Sequence, residues 1–138
     1  MHSVDGVRVI GNTVFLESSD NVRLSGGSRG AELRNNVFWT EGGFHLNVAD
    51  DSRVGCFSDY NTLHATGSAK LVHWIVDFPD ILDWQEDVHQ FDLNSLGTTV
   101  VHPFEAQPRF VSAARNDFRV FDVVAGHRRS SPTHNTAD

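Results

Sequence analysis

The chain has 138 residues, 39% apolar and 21% charged, the usage of one ordinary globular domain. Its single cysteine, Cys56, excludes an internal disulfide framework and a cysteine-rich zinc module. A formal charge of −7 argues against nucleic-acid and membrane-surface partners, which need a basic patch, and no run of about 18 apolar residues is present to span a bilayer.

The opening residues, MHSVDGVRVIGN, lack the basic and apolar regions of an export signal, so none is expected. From there the chain repeats itself. Residues 11–16 (GNTVFL) recur at 35–40 (NNVFWT) and again at 60–65 (YNTLHA). Aligning Asn12, Asn36 and Asn61 gives spacings of 24 and then 25 residues. Strand-like triplets precede each asparagine: Val7-Arg8-Val9, Ala31-Glu32-Leu33 and Cys56-Phe57-Ser58. Further strand-like pieces lie between the repeats, at 22–24 and 44–48, separated by polar and glycine-rich turns.

Three short strands and three turns in a repeat of this length fit a β-solenoid coil. A helical repeat needs about 33 residues or more, and no 3.6-residue periodicity is present. The alternation of side chains predicts what points inward: Val7, Val9, Asn12 and Val14 stack on Ala31, Leu33, Asn36 and Phe38, then on Cys56, Ser58, Asn61 and Leu63. The asparagines are read as a structural ladder. Each amide bonds the turn and its neighbour, and asparagine tolerates the left-handed backbone of a tight corner.

After residue 65 the repeat fades. Residues 70–77 (KLVHWIVD) are expected as a last strand, and 79–89 (PDILDWQEDVH) as a helix with Ile81, Leu82, Trp84 and Val88 on one side. A turn at 90–95 and short strands at 108–111 and 117–120 follow, then a polar tail at 126–138. The whole is one domain, 1–138: coils at 1–76, a capping helix with short strands at 77–125, and the tail.

Several pieces together, Asn35-Asn36-Val37-Phe38, Asp59-Tyr60-Asn61, Trp84-Gln85, Pro108-Arg109-Phe110-Val111, Asp117-Phe118-Arg119 and Ser131-Pro132, resemble the C-terminal end of right-handed parallel β-helix proteins of the pectate-lyase-like superfamily. The resemblance implies an all-β fold: a short right-handed parallel β-helix of about three coils, with a C-terminal helix and capping segment. It also implies a functional range of polysaccharide lyases, glycoside hydrolases and non-catalytic members, with polysaccharide as the expected partner. Family members usually carry many more coils, so the chain resembles a detached end piece.

No catalytic group is assigned. The paired aspartates of the hydrolases and the basic segments of the lyases have no counterpart here. Arg8, Arg34 and Asp59 are expected to face outward as ordinary solvated residues. The acidic group Asp77, Asp80, Asp83, Glu86, Asp87 and Asp92 lacks calcium-loop spacing and is read as a solvated helix face. His45, His64 and His73 could bind zinc only if two imidazoles met. Without a local carboxylate they are read as chance solvated or half-buried residues, and no metal or cofactor is expected. Cys56 is expected as a small core residue. Phe15, Trp39 and His64 fall at equivalent outward positions and form the one candidate ligand surface, an aromatic stripe for stacking on sugar rings. The competing and favoured reading covers that stripe with the helix around Trp84 or with the 104–121 segment.

Three functions follow: a non-catalytic β-helix module that binds carbohydrate or ends a surface protein, a remnant of a lyase or hydrolase, and a self-associating structural domain. The first coil has no evident cap. Val7, Val9, Val14 and Leu24 are expected on its open underside, and a homo-oligomer closing that end by two-fold symmetry is expected.

Overall fold

The computed structural model describes residues 1–103, 106–108, 110–115 and 117–120. The expected tail at 126–138, the Ser131-Pro132 pair and residues 121–125 lie outside the described residues.

Each repeat contributes one short strand to each of three sheets. The first supplies β1 (Arg8–Ile10), β2 (Thr13–Leu16) and β3 (Val22–Leu24), and the second β4 (Glu32–Arg34), β5 (Val37–Thr40) and β6 (Phe44–Val48). The third supplies β7 (Phe57–Asp59), β8 (Thr62–Ala65) and β9 (Lys70–Trp74). Strands β1, β4 and β7 pair in parallel, as do β2, β5 and β8, and β3, β6 and β9. Among the described residues the chain is therefore mainly β, its three repeats forming successive tiers of parallel sheet, with one short α-helix.

The register follows the sequence spacing. Val9 pairs with Leu33 and then Ser58, and Val14 with Phe38 and then Leu63. These positions line a common interior with Leu24, Leu46, Val48 and Val72. Burying an aliphatic or aromatic side chain of this size contributes about 1.5–3 kcal/mol, and the second tier, with Leu33 and Phe38 each 1% exposed, gains it in full.

The corners carry the backbone strain, one residue earlier than the sequence reading put it. Gly11, Asn35 and Tyr60, just before the three ladder asparagines, hold φ of 69°, 56° and 58°. The left-handed residue turns the chain, and the asparagine after it is left to point inward. A second corner is made by Gly6, Gly30 and Gly55, all with φ between 62° and 70°. They stack so closely that a Cβ on Gly55 would lie 3.3 Å from the backbone of Gly30.

A different piece closes each sheet at one end. The expected strand at 70–77 breaks at Ile75, whose φ of 69° reverses the chain so that β10 (Val76–Phe78) pairs antiparallel with β9. A short strand absent from the sequence reading, β11 (Leu96–Gly97), adds in parallel to β8. The turn at 92–95 covers β7: Asp92 N donates to Ser58 O at 2.7 Å, and Asn94 N to the Asp59 carboxylate at 2.8 Å.

Between these pieces lies α1 (Ile81–Val88). Asp80 caps its start by accepting from Leu82 N at 2.8 Å, and His89 ends it with a φ of 56°. Ile81 and Trp84 are buried, and Trp84 packs among Trp74, Phe78 and Phe91. Leu82 does not share that face. It is 58% exposed, because one helical step of about 100° carries it off the Ile81–Trp84–Val88 side. Glycine at 97 lets α1 sit on β11, since a Cβ there would come within 2.6 Å of Ile81. A last pair, β12 (Phe110–Ser112) and β13 (Asp117–Val120), is antiparallel.

A β-branched residue in the left-handed region is strained by about 1–2 kcal/mol, partly offset in a glycine variant by about 0.5–1 kcal/mol of chain entropy. Ile75 is 61% exposed, so little packing is lost with it. Ile75→Gly is expected to raise stability by up to about 1 kcal/mol in urea unfolding, against the usual sign for removing a large apolar residue. A clear loss of stability would mean that the side chain holds the reversal.

Candidate functional site

The polar groups that converge in the interior form a directional chain of hydrogen bonds. Asn12 donates to Asn36 Oδ1 from its backbone N at 3.0 Å and from Nδ2 at 3.2 Å. Asn36 repeats this onto Asn61 Oδ1, at 3.0 Å from both nitrogens. The remaining amide proton reaches the tier above: Asn36 Nδ2 donates to Val9 O at 2.8 Å and Asn61 Nδ2 to Leu33 O at 3.2 Å. Asn36 and Asn61 are fully buried, whereas Asn12 lies exposed at the end of the row.

The row terminates on Asp92. Its Oδ1 accepts from Asn61 Nδ2 at 3.1 Å, Ser58 Oγ at 3.0 Å and Ser95 Oγ at 2.6 Å, and its Oδ2 from Trp84 Nε1 at 3.0 Å. Ser95 Oγ in turn accepts from Asn61 N at 2.8 Å, standing where the next asparagine would be. Asp92 is fully buried. Burial pushes its carboxyl above the usual carboxylate range, while the four donors pull it back.

The acidic group read as a solvated helix face is therefore divided. Asp92 is an interior acceptor, and Asp80 is 7% exposed, with one oxygen on Leu82 N and the other on Val100 N at 2.7 Å. Asp77 stays at the surface, where Lys70 Nζ and His73 Nδ1, each at 2.7 Å, hold its carboxyl below the usual range. His73 thus has a carboxylate beside it, contrary to the sequence reading, because the β9–β10 reversal brings Asp77 back onto it.

Arg8, Arg34 and Asp59 are not equivalent either. Arg8 and Arg34 grip opposite oxygens of Glu32, at 2.9 and 2.6 Å, and Arg34 also lies over the Phe57 ring at 4.2 Å. Asp59 is 8% exposed and accepts from Tyr60 N, Asn94 N and Asn94 Nδ2. It holds the cap in place rather than facing solvent.

The three stripe residues do fall in one row, Phe15 beside Trp39 beside His64. Edge contacts join them, with ring centroids 5.2 Å apart for the first pair and 5.0 Å for the second. His64 is fully buried and has no face to offer a sugar. Phe110 lies on Trp39 at 5.7 Å, nearly parallel to it, and Trp39 Nε1 donates to Thr66 Oγ1 at 3.1 Å.

His45 is fully buried as well, neither solvated nor half-buried. Its Nδ1 meets Asn21 Oδ1 at 2.6 Å, and its Nε2, like that of His64, has no hydrogen-bond partner among the described residues. Burial pushes the two imidazoles down to about 3 and about 4 respectively, with His64 adding to the effect on His45. Among the described residues no three His, Cys, Asp or Glu side chains gather as a metal site, and no helix is long and apolar enough to cross a membrane. Cys56 is buried, and burial pushes its thiol up to about 12, away from any nucleophilic role near neutral pH. A cleft of about 160 Å³ between α1 and β11 is lined by Ile81, Leu82, Gln85, Leu96, Thr99 and Ala106 among others. Its one amide, Gln85 Nε2, is engaged on the carbonyls of Asp92 and Ser95.

Compared with known proteins, the chain matches no family model, no curated protein and no solved structure.

Two predictions follow from the row and its terminus. Removing Asp92 takes the acceptor from three buried donors, Ser58 Oγ, Ser95 Oγ and Trp84 Nε1, while Asn61 Nδ2 keeps Leu33 O and Ser58 Oγ; removing the Asn36 side chain leaves fewer groups unpaired. Asn36→Ala is expected to cost about 1–3 kcal/mol and Asp92→Ala at least about 3 kcal/mol, measured by urea denaturation. The opposite order would show that the asparagines, not the terminus, dominate.

Acid is expected to weaken the fold through His45 and His64. Both are held below their ordinary value of 6.5, so the unfolded chain binds more protons than the fold once pH drops under it. Their contribution is complete above pH 6.5 and is lost as pH falls toward 4 and then 3, at up to about 1.4 kcal/mol per pH unit for each imidazole. Asp92, whose value is raised, works in the opposite sense and gains as pH falls. Urea midpoints between pH 7.5 and 5 test this, and the slope is expected to flatten in His45→Leu and His64→Leu. An unchanged slope in both variants would assign the acid sensitivity elsewhere.

Proposed function

We propose that the chain is a short right-handed parallel β-helix of about three coils that serves as a non-catalytic end piece, closing one end of a stack of coils. The observation that carries this reading is the one-way asparagine row. It passes donors from tier to tier and stops on a buried carboxylate that can only accept, held by a helix and two short strands that cover the third tier. The sequence resemblance to the C-terminal ends of pectate-lyase-like proteins supports the same reading.

A non-catalytic role is favoured by how the carboxylates are used. Asp59, Asp80 and Asp92 each accept on both oxygens from groups of the fold itself, so none is poised to exchange a proton with a substrate. Sugar stacking on the Phe15–Trp39 row is disfavoured by Phe110, which lies on the indole.

Purified protein is expected to give no rise in absorbance from unsaturated product on pectate or alginate, with or without calcium. Sustained turnover that a single substitution abolishes would overturn the reading.

A further inference from the structure

We draw no further inference here: the strongest candidate, the cleft between α1 and β11 lined by Ile81, Leu82, Leu96 and Ala106, is an apolar face, and nothing in the structure shows what covers it.

Discussion

A buried amide must find partners, and the side chain of Asn36 finds its partners in the neighbouring tiers. Asn36 cannot satisfy its own Oδ1 or both of its Nδ2 protons within its repeat. The row therefore propagates until something accepts without needing to donate onward. A carboxylate does that, and Asp92 sits where the row needs it. Its four donors come from β7, the corner at Asn61, α1 and the turn at Ser95, so one side chain ties the repeat to its cap. Leaving any of those groups unpaired costs more than the net gain of an average hydrogen bond.

The corners make that row possible. Gly11, Asn35 and Tyr60 take the left-handed backbone, which leaves the next residue free to turn its side chain inward. Glycine, asparagine and tyrosine are not alike in their tolerance of that conformation. The repeat holds it at the tyrosine as well, because Asp59 accepts from Tyr60 N and ties the corner to Asn94 of the cap.

The aromatic row does for the outer face of the β2–β5–β8 sheet what the asparagines do inside. Phe15, Trp39, His64 and Phe110 meet one another edge to face or stacked, so a surface that could have served a ligand is engaged in holding tiers together. One end of the asparagine row is sealed by interior polar groups.

Periodicity was legible from the residues alone. The spacing of Asn12, Asn36 and Asn61, the inward alternation and the presence of a helix within 79–89 are local patterns, written in strand and helix geometry that any chain obeys, although the helix itself starts two residues later, at Ile81 behind its Asp80 cap. What the tertiary structure decided concerns residues far apart in sequence. Asp92 reads as one more acidic residue after a helix until Ser58, 34 positions away, is brought against it. His64 reads as an outward residue until the segments after α1 bring Thr98 beside it, and nothing in KLVHWIVD announces that the chain reverses at Ile75. Alternation tells a side chain which way to point. Whether it meets water or protein there depends on what the rest of the chain lays over it.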